Sequence, residues 1–198
     1  MERRTFAGDL DRPGLRGTPR QVRPGYHKVM PDRHTLAETE KAMGEHVGGL
    51  PLNFPAAAAV SSLYRAANAV RMHLTNTVLH EHGLTWTGFV VLWVVWIWDG
   101  VETRRAAESA AISKATLTGV VKTLERRGLV LRRVGETDRR LVELELTPAG
   151  DALMRELYPV FNAAESEVVA GLSDRGLKDL TRSLRLIVTE LEENEQPG

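Results

Sequence analysis

The sequence predicts a mainly α (α+β) fold in which long helices flank one small β-hairpin. Three observations predict it. Apolar residues recur at three- and four-residue steps over residues 60–78, 153–168 and 177–191, the period of a helix with one buried face. The run 89–98 is apolar throughout and is bounded by Thr85 and Asp99-Gly100, so it reads as a helix buried on most sides. One pair of segments, 129–134 and 141–147, has strand character, and Gly135-Glu-Thr-Asp-Arg-Arg140 joins them.

Residues 1–51 read as an N-terminal extension. Over 1–33, Pro13, Pro19, Pro24 and Pro31 alternate with Gly8, Gly14, Gly17 and Gly25 among scattered arginines, the composition of a flexible or loosely docked arm. Residues 35–47 have the pattern of a short helix, with Leu36, Met43 and Val47 on one side and Gly48-Gly49 at its end. The first long helix starts near Pro55, a residue suited to a first helical turn. Its stripe of Val60, Leu63, Ala67, Val70, Leu74 and Val78 runs to about Glu81, and Gly83 stops it. Thr85 caps the apolar helix over 86–99. A short helix over 102–110 turns Ala106, Ala107 and Ala110 inward. Ser113 then caps a helix over 114–127, and Gly128 ends it.

In the second strand Val142, Leu144 and Leu146 alternate with Glu143 and Glu145, so one face is buried. Pro148 opens a long helix to about Gly171, and Ser173 caps the last one. The order from 84 to 147 (helix, support helix, Ser-capped helix, strand, basic tip, strand) is a winged helix-turn-helix. That shape puts one helix into the DNA major groove and a hairpin beside it. The flanking segments 52–82 and 148–193 carry more apolar surface than so small a domain covers.

Charge supports a nucleic-acid partner by its distribution, not its sum. The chain balances 26 Lys and Arg against 26 Asp and Glu. Residues 101–140 nevertheless hold ten bases against five acids, and 141–198 hold five bases against twelve acids. A basic segment beside an acidic one is expected when one face meets phosphate and another does not. With no cysteine, disulfides and thiol redox switches are excluded. Residues 1–30 lack the apolar run of a signal peptide, and 89–98 is about half the length that spans a bilayer, so a cytoplasmic protein without a membrane partner is expected. His73, His80, Glu81 and His82 cluster in sequence, but i and i+2 positions face apart, so no metal site is expected. No nucleophile–base set, paired carboxylates or phosphate-binding glycine loop stands out, so neither an enzyme nor a cofactor is expected.

The buried helix, the Ala-rich support helix, the Ser-capped helix, Leu124-Glu-Arg-Arg-Gly-Leu-Val130, Asp138-Arg-Arg140 and Leu146-Thr-Pro-Ala-Gly150 together resemble the MarR family of bacterial transcription regulators. The resemblance covers about residues 52–193. It implies a homodimeric DNA-binding regulator, joined through a helical dimerisation region over 52–82 and 148–193 and most simply a repressor, on a pseudo-palindromic double-stranded operator with half-sites roughly 10 bp apart. It implies that 113–127 is the recognition helix, with Ser113, Lys114, Thr116, Thr118 and Lys122 towards DNA. Arg139 and Arg140 would reach the minor groove from the wing, and Arg104, Arg105 and Arg133 would meet phosphate. Asp138 would orient the hairpin. Gly119 is costly in mid-helix; it reads either as permitting close approach to DNA or a neighbouring helix, or as a neutral surface glycine. The turn before the recognition helix often carries Gly in this family and here carries Ala111.

The resemblance also implies a crevice for a small aromatic or phenolic effector, an anion in the simplest case. Trp86, Phe89, Trp93 and Trp96 are candidate walls, with Arg71 and His73 as polar partners. The same tryptophan stripe also reads as core. The alternative function is a winged-helix protein-interaction module without operator binding. Such a module has no need to keep Lys114, Lys122, Arg139 and Arg140 together.

Overall fold

The computed structural model describes residues 34–134 and 141–195. The chain divides between Leu52 and Asn53. In the first unit, α1 (Leu36–Val47) begins at a capping box. The Thr35 hydroxyl accepts from Glu38 N at 3.2 Å, and the Glu38 carboxylate accepts from Thr35 N at 2.7 Å. The expected arm over residues 1–33 lies outside the described residues.

In the second unit, α2 (Phe54–Thr77) is capped by Asn53, whose Oδ1 accepts from Ala56 N at 3.1 Å. The periodicity carries this helix to about Glu81, but it stops at Thr77 and Leu79–His82 form a 3₁₀ turn. Val78 leaves helical geometry at φ −120°, and the tightened turn buries Val78, Leu79 and Leu84 together. Thr85 starts α3 (Trp86–Ile97) by accepting from Gly88 N at 3.0 Å. Phe89, Val91, Leu92, Val94 and Val95 are all buried.

Four elements cover α3: α4 (Thr103–Ser109), α5 (Lys114–Arg126), α6 (Pro148–Val168) and the strand β3 (Val142–Leu146). The sheet has three antiparallel strands in the order β1-β3-β2, with β1 (Val101–Glu102) and β2 (Val130–Val134) on either side of β3. Val101 pairs with Leu144, Val130 with Leu146 and Val134 with Val142. Sequence periodicity misses β1 and assigns Glu102 to a helix, because two residues are too few to show alternation. The fold is mainly α, with this small sheet as its β part.

Thr147 joins the hairpin to α6. Its hydroxyl donates to Gly128 O at 2.6 Å and accepts from Gly150 N at 3.0 Å. A side chain at Gly150 would collide with the Leu129 carbonyl, so the first turn of α6 lies directly on the backbone that leaves α5. The expected end near Gly171 is late by one turn; α6 ends at Val168, and α7 (Asp174–Glu195) follows. No helix among the described residues is long and apolar enough to cross a membrane.

The connections share one geometry. After α5, Gly128 has φ +68°, its N–H donates to Glu125 O, and Leu129 N donates to Leu124 O at 3.0 Å. This left-handed closure returns two orphan carbonyls to hydrogen bonds. After α4 the same closure forms around Ala111 at φ +51°, with Ala111 N on Glu108 O and Ile112 N on Ala107 O, both 3.0 Å. A left-handed conformation costs an L-residue roughly 1–2 kcal/mol. Replacing it with glycine returns about 0.5–1 kcal/mol of that gain as chain entropy. Ala111→Gly is therefore expected to stabilise the protein by ~0.5–1 kcal/mol. Thermal unfolding measures it, and an unchanged or lower Tm contradicts the strain.

A side-chain bond also ties α3 to α6. Trp96 Nε1 donates to Asp151 Oδ1 at 3.0 Å, and Arg155 Nε donates to Asp151 Oδ2 at 2.7 Å. The Arg155 guanidinium holds the Asp151 carboxyl below the usual Asp range; desolvation opposes the shift and the Trp96 indole adds to it. A carboxyl lowered in the folded state contributes stability that is present above its unfolded pKa of about 3.9 and is lost as pH falls through the lowered folded value. Asp151→Asn is therefore expected to be less stable than the native chain at neutral pH, with the gap closing below about pH 4. Denaturant titrations across that range check it, and a gap that widens in acid reverses the sign.

Candidate nucleic-acid interface and aromatic crevice

Helix α5, the expected recognition helix, is positioned by its buried side. Leu117, Val121 and Leu124 of α5 are buried, and the helix packs on α3 and α4. That burial turns Ser113, Lys114, Thr116, Thr118, Gly119 and Lys122 to solvent. Ser113 Oγ caps the helix by accepting from Thr116 N at 3.1 Å and shares a hydrogen bond with Thr116 Oγ1 at 2.8 Å. The helix N-terminus thus presents unpaired N–H groups and the positive end of its dipole beside Lys114, a setting that favours phosphate. Thr118 Oγ1 donates to Lys114 O at 2.9 Å, so towards an incoming base it offers only a lone pair and a methyl group. A Cβ at Gly119 would meet nothing within 4 Å, so packing inside the chain does not require glycine there.

A cleft of about 540 Å³ separates α5 from the hairpin, and Arg104, Lys114, Thr118 and Arg132 are among its lining residues. Arg132 comes from β2 and reaches Glu125 of α5 at 3.4 Å. Its neighbour Arg133 pairs instead with Glu145 of β3 at 2.7 Å. Sequence reasoning picks Arg133 as the phosphate contact, whereas the structure places Arg132 in the cleft. The signal that separates them is the register, which pairs Arg132 with Leu144. Arg104 lines the cleft with its Nε on Glu108 at 2.8 Å, and Arg105 is exposed on the same helix. Arg139, Arg140 and Asp138 lie outside the described residues. Arg127 holds the far end of α5: its two terminal nitrogens donate to Gly83 O and His82 O, each at 2.8 Å.

The aromatic residues gather in part. Trp86, Phe89, Val90 and Trp93 of α3 face Tyr158, Phe161 and Glu165 of α6 across a crevice of about 220 Å³. Phe89 stacks on Phe161 at 4.2 Å between ring centroids, and Trp86 lies 6.2 Å from Phe161. Trp96 does not line this crevice; it bonds Asp151 and packs against Tyr158 at 5.5 Å. Arg71 and His73 do not line it either. Both are exposed on α2, where Arg71 donates to Asn68 Oδ1 at 3.1 Å. Sequence reasoning missed the α6 wall, although Tyr158, Phe161 and Glu165 stand at i, i+3 and i+7 on one helix face.

Comparison with known proteins identifies the family and the fold. The model of the MarR family matches residues 84–142. An uncharacterized HTH-type transcriptional regulator, YwaE of Bacillus subtilis (strain 168), is 38% identical over 140 residues, covering 71% of this chain and 82% of the relative. Among solved structures, Bordetella bronchiseptica BpsR, whose DNA binding is regulated by 6-hydroxynicotinic acid, is 27% identical. It superposes with TM-score 0.60, covering 65% of this chain and 91% of that one. AbsC, a MarR family transcriptional regulator from Streptomyces coelicolor, shares the fold at TM-score 0.65 and 23% identity, covering 72% of this chain and 97% of its own. With a recognition helix bared by its own core, a basic cleft against the hairpin and these relatives, the chain belongs to the MarR family of winged helix-turn-helix, DNA-binding transcriptional regulators.

Proposed function

We propose that this regulator is a homodimeric, sequence-specific repressor whose hold on a pseudo-palindromic operator is released by a small aromatic effector. The observation that carries the proposal is the cleft in which Lys114 and Thr118 of α5 face Arg132 of β2. Lys114 donates to guanine edges or phosphate, while Thr118 accepts from adenine or cytosine amino groups and offers its methyl to thymine. Ser113 and Thr116 hold the helix start against phosphate. Lys122, Arg104, Arg105 and Arg132 add backbone contacts, and Arg139 and Arg140 enter the minor groove. Bare of a side chain, Gly119 lets the helix approach closely.

Homodimer formation is supported by α7. Leu180, Ile187 and Leu191 are 42%, 45% and 60% exposed, a full apolar stripe on a helix that one subunit leaves uncovered. A second copy buries it, and two-fold symmetry then sets two recognition helices about one DNA turn apart. BpsR offers the precedent of a relative whose DNA binding answers to a small aromatic acid. In this chain the crevice between α3 and α6 is the place for an effector. A coupling of about 1–3 kcal/mol suffices to change operator affinity about 5- to 150-fold.

Fluorescence anisotropy with DNA from upstream of the protein's own coding sequence, titrated at two salt concentrations beside an unrelated duplex, tests the DNA contacts. Lys114→Ala is expected to lower specific affinity by ~1–3 kcal/mol, and Arg139→Ala to weaken binding and reduce the salt slope by about one. Full affinity in both variants removes them from the interface. Sedimentation analysis tests the dimer. Ile187→Glu is expected to yield a folded monomer with weakened operator binding, and a dimer that survives this change means another face joins the subunits.

A further inference from the structure

We propose that the crevice between α3 and α6 takes a small organic cation, a single-ring or similarly compact ammonium, in place of the aromatic acid that the family resemblance suggests. The proposal deepens the effector reading above and rests on it for any consequence at the operator; the binding preference itself is measured separately.

The chemistry of the walls decides the class. Trp86, Phe89, Trp93, Tyr158 and Phe161 present aromatic rings, and Glu165 is the one charged side chain among the described residues that line the crevice. Ring faces carry negative quadrupole density and attract ammonium groups, Trp most strongly. Asn162 Nδ2 donates to Glu165 Oε2 at 3.0 Å, which holds the carboxylate in place and leaves its other oxygen for a ligand. The two helices that wall the crevice together have the same sign. No residue of α3 is charged, and α6 carries Asp151, Glu156, Glu165 and Glu167 against Arg155, itself paired with Asp151.

An aromatic carboxylate here would lose its hydration and sit beside a like charge, with no cation among the described residues that line the crevice, both unfavourable. Arg65, Arg71 and His73 belong to α2, which packs on α6, and none of the three is among the residues that line the crevice. An ammonium instead exchanges water for ring faces and a carboxylate. The volume sets the size. About 220 Å³ exceeds the roughly 150 Å³ that holds a benzene and falls below the 300–1,000 Å³ of drug-sized sites.

Calorimetric titration of the full chain with benzyltrimethylammonium, benzyl alcohol and benzoate, which share one ring and differ in charge, tests the inference. The cation is expected to bind at least tenfold more tightly than benzoate. Glu165→Gln keeps the side chain's shape, so it is expected to weaken the cation about tenfold and leave benzyl alcohol unchanged. Benzoate binding as tightly as the cation, a Glu165→Gln variant with undiminished cation affinity, or no binding of any probe overturns the proposal. Operator binding read in parallel separates the two claims. Release by benzoate without cation binding overturns the cation site and leaves a ligand-responsive repressor. Glu165-dependent cation binding that leaves operator affinity unchanged supports the site and removes its effector role.

Discussion

A helix without a polar side chain from Gly88 to Ile97 cannot face water on any long stretch, and covering α3 is the constraint on which the second unit depends. Burying a Val, Leu or Phe side chain is worth roughly 1.5–3 kcal/mol, and α3 buries five of them. The cover comes from α4, α5, β3 and α6, so the support helix, the recognition helix, the hairpin and the long helix all take their positions from one element. The exposure of Ser113–Lys122 side chains is the reverse of that coin: α5 spends Leu117, Val121 and Leu124 on the core and presents what is left. Where the cover ends, the helix ends. Ile97 and Trp98 are exposed, and Asp99 takes φ +49° to turn the chain into β1.

Turn geometry then decides how accurately α5 is presented. Left-handed residues at Gly83, Asp99, Ala111 and Gly128 close successive elements, and Arg127 bonds the backbone at His82 and Gly83, so two of these closures are clamped to each other. Two of the four are glycine and carry no Cβ cost. Asp tolerates the region better than most residues, whereas Ala has no side-chain hydrogen bond to offset it. The strain at Ala111 sits in the turn that sets the angle between α4 and α5, where a small rotation is a displacement at the DNA.

Much of this was legible in the sequence, for local reasons. Ser113 and Gly128 bracket α5 because capping chemistry is local, and the period-two pattern from Val142 to Leu146 marks β3 by itself. What escaped depends on partners distant in the chain. The two residues of β1 are a strand only because Leu144 and Glu143 lie opposite them. Whether Arg132 or Arg133 enters the cleft is a matter of register. Trp96 looks like a wall residue in a list of aromatics, and it is Asp151, 55 positions away, that claims its indole nitrogen. Glu165 carries no motif and acquires meaning only when α6 is laid against α3.

The placement of α3 also joins the two candidate sites. One side of it packs on α5 and another forms the crevice wall, so a ligand there lies one helix from the DNA-facing surface. A ligand shifts an equilibrium only by its differential affinity for the two states. The crevice walls come from two helices, Trp86, Phe89 and Trp93 from α3 and Tyr158, Phe161 and Glu165 from α6. Phe89 and Phe161 stack at 4.2 Å in the crevice wall, and the ion pairs of Arg132 and Arg133 at the hairpin are of the exposed kind worth about 0–1 kcal/mol. Helix α3 is therefore the close-packed element that the two sites share, one side against α5 and another in the crevice wall.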